Sequence, residues 1–424
     1  MNQKLNNIFK GDKVIWMIFF FLCIISVVEV YSASSRLTFK GGDYIAPIIK
    51  HTSILILGFC CMVVVLQIKC KYFKIVTPFM LIISILLLLW ALVAGHSEGD
   101  ASRWVGFLGL KFQPSEIAKG TLVLATAQIL SAMQTQDGAD PQAFKYILAV
   151  SGCIIPLILL ENFSTAMLLS SVIFFMMLIG RVPKEQLGKL LGVVAILGVV
   201  FFSVIMMSAR VEDKPDNQQL TEQTDEAAKK EKLNGIEKVF HRFGTWKNRI
   251  LTFVDNKEIP PEKRDLNGRG AQTTYANIAI ASANYVGKGP GNSEIRDSLY
   301  LAFSDFIYAI IIEEMGLFGA AFVALLYIIL LFRTGRIANR CANNFPAFLA
   351  MGLALLLTTQ ALFNMCVAVG LAPVTGQPLP LISRGGTSSV INCIYLGVIL
   401  SISRSAKKRE NNGEELVEAK LLHT

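Results

Sequence analysis

The stretch Ala302–Phe332, AFSDFIYAIIIEEMGLFGAAFVALLYIILLF, is apolar over the length of a membrane span, yet it carries Asp305 near its start and the pair Glu313-Glu314 further on. A helix needs about 20 predominantly apolar residues to cross the hydrocarbon core of a bilayer. This stretch is longer, so we expect the span to tilt or to break. A carboxylate at membrane depth is costly and is kept for chemistry, ion handling or a buried partner. The stretch therefore predicts a membrane fold and a functional site together.

Similar apolar blocks recur along the whole chain, which has 424 residues and is 53% hydrophobic and 17% charged. We predict an all-α integral membrane protein, one polytopic domain over 1–424, with about ten transmembrane helices. The predicted spans are 13–33, 46–67, 72–94, 114–133, 145–160, 165–181, 187–207, 302–332, 345–370 and 386–404. The eight cysteines lie mostly inside these spans without C-x-x-C spacing, so we expect free thiols and no zinc site.

The distribution of Lys and Arg indicates the orientation, because basic residues stay on the cytoplasmic side of short loops. With the N-terminus inside, the cytoplasmic segments collect most of these residues, and the short outer loops hold only Arg36, Lys40, Arg103, Lys111 and Arg384. We therefore predict a multi-pass protein of the cytoplasmic (inner) membrane with both termini, including the tail 405–424, in the cytoplasm. The net charge of +9 follows from this topology, and we find no aromatic-basic module for nucleic acid.

One polar segment, 208–298, interrupts the pattern and is predicted to form a large extracytoplasmic loop between the seventh and eighth spans. Its part 212–232 has the mixed charge of a disordered insertion. Aromatic residues and a glycine run then return, so we expect 236–298 to fold over the membrane surface.

The end of this loop carries the most specific motif of the chain. Val286-Gly287-Lys288-Gly289-Pro290-Gly291-Asn292-Ser293 is followed by Arg296, Ser304-Asp305-Phe306 and Glu313-Glu314-Met315-Gly316. Further motifs stand before and after it: Tyr31-Ser32-Ala33-Ser34, Arg103-Trp104, Gln113-Pro114-Ser115-Glu116-Ile117-Ala118-Lys119, Pro373-Val374-Thr375-Gly376-Gln377-Pro378-Leu379-Pro380 and Gly385-Gly386. In this order, across nearly the whole chain, the motifs resemble those of the SEDS family of membrane glycosyltransferases (FtsW/RodA/SpoVE).

The resemblance implies polymerisation of lipid II, the undecaprenyl-pyrophosphate disaccharide-pentapeptide, into glycan strands at the outer face of the cytoplasmic membrane. Joining sugars requires a base that takes a proton from the acceptor hydroxyl while the donor carbon loses a pyrophosphate-lipid. Asp305 fits this base by its predicted place at the outer mouth of the eighth span, and the family's catalytic aspartate aligns with it. The alternative for Asp305 is a helix N-cap, but capping alone does not need an acid at membrane depth.

The other candidate residues divide into substrate binding and structure. Arg103 and Lys119 would grip the pyrophosphate; their alternatives are a snorkelling interfacial side chain and a salt bridge to Glu116. Lys288 and Arg296 would contact the donor or hold the loop. The predicted substrate-binding set is Arg103, Glu116, Lys119, Thr165, Lys288, Asn292, Ser293, Arg296 and Ser383. The predicted structural or relay set is Glu313, Glu314, Pro373, Pro378, Pro380, Gly385 and Gly386, since proline excludes a regular helix and the glutamates suit buried partners.

Three positions depart from the family pattern. Glu161-Asn162-Phe163-Ser164-Thr165 stands where the family usually carries a Pro-Asp-aromatic-Gly-Thr motif, so an amide replaces an aspartate. Phe303-Ser304 replaces a common His-Thr, and Arg384 replaces a common Tyr. No cofactor follows from the residues, and a divalent cation, Mg²⁺ or Mn²⁺, stays an open alternative without assigned ligands.

Other functions also stay open. A lipid II flippase would use the same cavity without a base and would tolerate Asp305→Asn. An ion-coupled transporter would explain intramembrane carboxylates and a broken helix near Pro373, but we find no inverted repeat. A scaffold without catalysis is the weakest alternative. The segment 373–389 and the polar tail favour a division role over elongation, and the resemblance implies a class B penicillin-binding transpeptidase and other divisome membrane proteins as partners.

Overall fold

The computed structural model describes residues 9–33, 46–94, 96–98, 101–107, 110–208, 244, 246–247, 249–254, 266, 270–296, 298–299 and 304–421. In these residues the chain is a bundle of long helices around a continuous apolar core. In chain order the elements are α1 (Lys13–Ala33), α2 (Ala46–Gln67), α3 (Cys70–Ala94), β1 (His96–Glu98), β2 (Ala101–Phe107), β3 (Leu110–Phe112), α4 (Pro114–Ala132), α5 (Pro141–Glu161), α6 (Phe163–Ile179), α7 (Lys184–Ser208), α8 (Ala271–Ser282), α9 (Ile307–Arg340), α10 (Asn344–Ala368) and α11 (Thr387–Leu421).

Seven of the described helices are long and apolar enough to cross a membrane, namely α1, α2, α3, α5, α9, α10 and the first part of α11, and α6 is a shorter apolar helix. Large apolar side chains such as Phe79, Ile82 and Ile196 are exposed on outward faces, the surface that a bilayer would cover. The predicted helical membrane fold is confirmed, while the predicted number of spans stays a prediction.

Two contacts between helix ends lie at the same end of the bundle. Arg333, near the end of α9, contacts Asp12 at the start of α1, with Nη2 and Oδ2 2.7 Å apart. Arg404 of α11 donates to the carbonyl of Gln67, the last residue of α2, at 3.4 Å. Both contacts join helix ends that the charge pattern predicts to be cytoplasmic. Which side of the membrane this end faces stays a prediction.

The loop before α4 contains a small sheet that the hydropathy pattern does not reveal. Strand β2 pairs antiparallel with both β1 and β3, giving the order β1-β2-β3. Arg103 lies on β2, but its side chain lies outside the described part of the chain. The polar segment is described only in part: 209–243 is outside it, so the disorder predicted for 212–232 is not tested. Further along, Trp246 packs its ring 5.5 Å from that of Phe163 at the start of α6.

The long helix α9 breaks at Gly316, whose backbone has φ 69° and ψ −174°. The hydroxyl of Tyr308 donates to the carbonyl of Ala320 at 3.1 Å. In a straight α-helix, residues this far apart in sequence are separated by about 18 Å along the axis, farther than a tyrosine side chain reaches. The first part of α9 therefore folds back beside the second part. Of the two outcomes expected for this long span, a tilt or a break, the structure shows the break.

Two glycines permit this reversal. A Cβ on Gly287, which has φ 80°, would lie 2.3 Å from the carbonyl oxygen of Glu314, and one on Gly316 would lie 2.4 Å from the amide nitrogen of Gly287. No side chain fits in either place, and the positive φ already favours glycine. The amide of Lys288 then donates to the carbonyl of Glu313 at 3.0 Å. The glycine run of the loop is thus pressed against the break in α9.

The proline-rich segment between α10 and α11 is irregular, as predicted. Its carbonyl groups find partners inside the bundle: Gln360 donates to the carbonyl of Pro378 at 3.0 Å, and the hydroxyl of Tyr327 donates to that of Pro380. Irregular backbone at membrane depth persists only where protein shields it or where it lines a cavity. Gly386, with φ 55°, then leads the chain into α11.

Candidate active site

Asp305 lies just before the broken helix α9 and is almost fully buried, with 6% of its surface exposed. The hydroxyl of Ser304 donates to its Oδ1 at 3.0 Å. The N-cap position of α9 is Phe306, so the structure does not place Asp305 in the N-cap position that was its alternative. The carbonyl of Asp305 accepts a hydrogen bond from Nδ2 of Asn364, near the end of α10, at 3.0 Å.

Hydrogen bonds through the proline-rich segment connect the main chain at Ser304 and Asp305 with the start of α6. Asn364 Nδ2 also donates to the carbonyl of Gln377 at 2.8 Å, and Gln377 Nε2 donates to Thr165 Oγ1 at 2.6 Å. Ser383 donates its hydroxyl to the carbonyl of Ser304 at 2.7 Å. The predicted site residues Thr165 and Ser383 therefore lie in one hydrogen-bonded network with Asp305, and both are buried.

Lys119 is fully buried and has two partners. Its Nζ lies 2.8 Å from Oε1 of Glu116 and 2.9 Å from Oε1 of Gln360. Gln360 in turn holds the carbonyl of Pro378, so Lys119 connects α4 to the proline-rich segment through α10. The salt bridge considered as the alternative for Lys119 is present. The carbonyl of Glu116 also accepts from the hydroxyl of Tyr395 on α11 at 2.5 Å.

Glu313 and Glu314 are completely buried. They hold the glycine loop, residues 286–293, by hydrogen bonds. Glu313 accepts from Nζ of Lys288 at 2.9 Å and from the hydroxyl of Ser293 at 2.5 Å. Glu314 accepts from the amides of Gly291 and Ser293 at 3.0 and 3.3 Å. The hydrogen bond with Glu313 raises the pKa of Lys288 above its ordinary value, since it favours the charged form.

Arg296 and Asn292 are also used within the loop. Nη1 of Arg296 donates to the carbonyl of Gly291 at 2.6 Å and to the hydroxyl of Ser32 on α1 at 3.3 Å. Nδ2 of Asn292 donates to the carbonyl of Lys288 at 2.9 Å. Four predicted substrate-binding residues, Lys288, Asn292, Ser293 and Arg296, thus hold the loop in this structure. Their contact with substrate stays a prediction.

Several buried polar residues were missed by sequence reasoning. Ser26 and Glu29 lie about one turn apart on α1, and the hydroxyl of Ser26 lies 2.8 Å from Nε2 of His51 on α2. Glu29 is 0% exposed, and within the described part of the chain its carboxylate has no hydrogen-bond partner. Polar residues at helical spacing on an apolar span were the available signal. The same signal marks Gln360 and Asn364, one turn apart on α10.

No metal site emerges from the described residues. Nowhere among them do three His, Cys, Asp or Glu side chains lie close enough to hold an ion. The polar groups around Asp305 that could ligate a metal are mainly side-chain amides, hydroxyls and backbone carbonyls, and these already form hydrogen bonds with one another. The divalent-cation alternative therefore gains no ligand set in the part of the chain that is described.

Comparison with known proteins gives a consistent picture. The family model FtsW/RodA/SpoVE, described as "Cell cycle protein", matches residues 12–229 and 236–408. A Geobacter metallireducens protein named "Probable peptidoglycan glycosyltransferase FtsW" is 29% identical over 419 residues, or 96% of this chain and 99% of that protein. A protein of the same name from Enterococcus hirae is 27% identical over 422 residues, covering 97% of each chain.

Solved structures share the fold. The crystal structure of the Thermus thermophilus rod shape determining protein RodA superposes with a TM-score of 0.61 at 20% identity, covering 93% of this chain and 97% of that chain. A chain from a structure described as "Structural coordination of polymerization and crosslinking by a peptidoglycan synthase complex" gives 0.66 at 22% identity, covering 93% and 98%. The resemblance drawn from the motifs is confirmed. Because the family model matches most of its length, this chain belongs to the FtsW/RodA/SpoVE family of membrane proteins.

Proposed function

We propose that the chain is a peptidoglycan glycosyltransferase that polymerises lipid II at the outer face of the cytoplasmic membrane, with Asp305 as the general base. The observation that carries this proposal is the placement of Asp305. Its carboxylate is buried at the start of a broken span, and its main chain is held by α10. The names of the full-length relatives support the reaction class.

The chemistry requires one proton transfer to the protein. The acceptor hydroxyl oxygen bonds to the anomeric carbon of the donor, the bond from that carbon to the pyrophosphate oxygen breaks, and Asp305 takes the hydroxyl proton. The leaving group departs as undecaprenyl pyrophosphate with its negative charge. A fixed carboxylate suits this step, because a base that is already oriented loses little entropy in the transition state.

The leaving group still needs positive charge nearby. Lys119 is neutralised by Glu116 and buried, so it fits a structural role, in which it orients Gln360 and, through it, the proline-rich segment. Arg103, on the sheet before α4, is the remaining candidate from the predicted pair. Its planar guanidinium holds two N–H donors in a fixed fork that matches a pair of pyrophosphate oxygens, whereas the ammonium of lysine is a point charge without that geometry.

The relatives support a proposal for the partner and the cellular role. Several are named FtsW, and one related chain belongs to a synthase complex that couples polymerization with crosslinking. We extend this to a class B penicillin-binding transpeptidase as the partner, a role in cell division, and cytoplasmic termini at the end of the bundle that contains Asp12 and Arg404.

One experiment tests the proposal against the flippase alternative. The protein is purified with its transpeptidase partner, given labelled lipid II, and assayed for glycan polymer that a muramidase digests. Wild type should produce the polymer, and Asp305→Asn, equally folded, should not. Lipid II movement across vesicle membranes without any polymer, retained in Asp305→Asn, would instead support a flippase.

A further inference from the structure

The side-chain amide of Asn364 has an orientation that its partners dictate. The residue is 1% exposed, near the end of α10. Its Nδ2 donates to the carbonyl of Asp305 at 3.0 Å and to that of Gln377 at 2.8 Å. Backbone carbonyls only accept hydrogen bonds, so the nitrogen and not the oxygen of the amide must face both of them. Both protons of the Asn364 amide are therefore committed.

These bonds matter because Asp305 stands outside the regular part of α9. Helix α9 begins at Ile307, so the hydrogen-bond ladder of the helix does not fix the main chain at Asp305. Two successive carbonyls are held from elsewhere instead: that of Ser304 by Ser383 at 2.7 Å, and that of Asp305 by Asn364. The backbone position of Asp305 therefore depends on contacts that are remote in sequence.

We propose that Asn364 is a positioning residue for Asp305. Its amide ties the main chain of Asp305 to the proline-rich segment at Gln377, and so sets where the Asp305 carboxylate meets the acceptor hydroxyl. Asn364 does not contact the reacting atoms itself. This inference rests on the proposed role of Asp305 as the general base.

The same helix offers two comparisons. Gln360, one turn earlier, holds Lys119 and the carbonyl of Pro378 instead of the main chain of Asp305. Thr358 is also buried, and its hydroxyl donates to the carbonyl of Tyr327 at 3.3 Å. Thr358→Val removes one buried hydrogen bond from α10 with little change in shape. It is a matched control for stability.

The test measures kcat and KM for lipid II, together with the melting temperature, in the purified complex with the transpeptidase. The variants are Asn364→Asp, which is nearly isosteric and loses the amide donors, and Asn364→Leu, which removes all polar contact. A displacement of a catalytic group by about 1 Å can cost about 100-fold in rate. We expect a loss of that order in kcat with KM close to wild type, while Thr358→Val lowers the melting temperature and leaves kcat nearly unchanged.

Several outcomes would overturn the inference. A folded Asn364→Asp or Asn364→Leu enzyme with the kcat of Thr358→Val would show that the amide does not position the base. A loss confined to KM would place Asn364 in substrate binding. If neither variant folds, the amide is a requirement of the fold and not of catalysis. Asp305→Asn, assayed in parallel, tests the proposed function separately: if it keeps activity, the general-base assignment fails whatever Asn364 does.

Discussion

Replacing Lys119 by methionine removes one charge from a pair that has almost no contact with the outside. The side chains of Lys119 and Glu116 are 0% and 3% exposed, and their charged atoms lie 2.8 Å apart. Removing one partner of a buried pair costs about 3–5 kcal/mol, because the remaining charge has no solvent and no counter-ion. Gln360 also loses its donor, which adds to the cost. We therefore expect Lys119→Met to lower the melting temperature strongly.

A second variant separates charge from substrate contact. In the double variant Glu116→Gln/Lys119→Met neither side chain is charged. The loss in the free energy of unfolding then falls to that of imperfectly paired amides, about 1–3 kcal/mol. Thermal unfolding in detergent and polymerisation of labelled lipid II are measured on the same preparations. If Lys119 is structural, stability and activity fall together in the single variant and recover together in the double variant. A single variant that melts like wild type but makes no polymer would refute this reasoning and return Lys119 to the pyrophosphate site.

Three further predictions concern the base, the loop and the topology. Asp305→Asn should fold and reach the membrane but form no glycan polymer, because an amide cannot accept the proton; near-normal polymer from well-expressed protein would contradict the assignment. Gly287→Ala should destabilise the protein much more than Gly291→Ala in thermal unfolding. Both glycines have positive φ, but only at Gly287 would the Cβ meet the backbone of Glu314, at 2.3 Å. Equal losses of stability would show that φ alone decides. In a cysteine-free background, Asp225→Cys should react with an impermeant thiol reagent added outside and Arg340→Cys should not, and the reverse would invert the topology.

The parts of this fold that the sequence predicts are those that depend on local pattern. Hydropathy over about 20 residues marks a span, and a run of prolines marks irregular backbone, because both effects act within a few turns of chain. The helices and the irregular segment 373–379 are therefore found where expected. The break in α9 is also predictable in kind, from the length of the apolar stretch.

The partners of the polar residues could not be predicted in the same way. The bond from Gln377 to Thr165 joins residues 212 positions apart, and that from Ser26 to the carbonyl of Ile382 joins residues 356 positions apart. No local pattern encodes such pairs. The motif placed Lys119 beside Glu116, one turn away, but nothing near it in sequence indicates Gln360 on another helix. The structure supplies these partners of Lys119, a buried pair with Glu116 and the amide of Gln360. A contact of Lys119 with substrate stays a prediction.

The carboxylates of the broken span α9 have different roles, although Asp305, Glu313 and Glu314 lie within one short stretch of sequence. Glu313 and Glu314 accept several hydrogen bonds each and bring the glycine loop against the helix at Gly316. With the loop in that place, the chain reverses, and the first part of α9 returns beside the second. Asp305 then meets α10 and the proline-rich segment instead of continuing away from them. Glu313 therefore fixes the end of this half-helix at the break, and Asn364 fixes the end at Asp305. We expect variants at Glu313 and at Asn364 both to lower kcat, because both loosen the half-helix that carries the base.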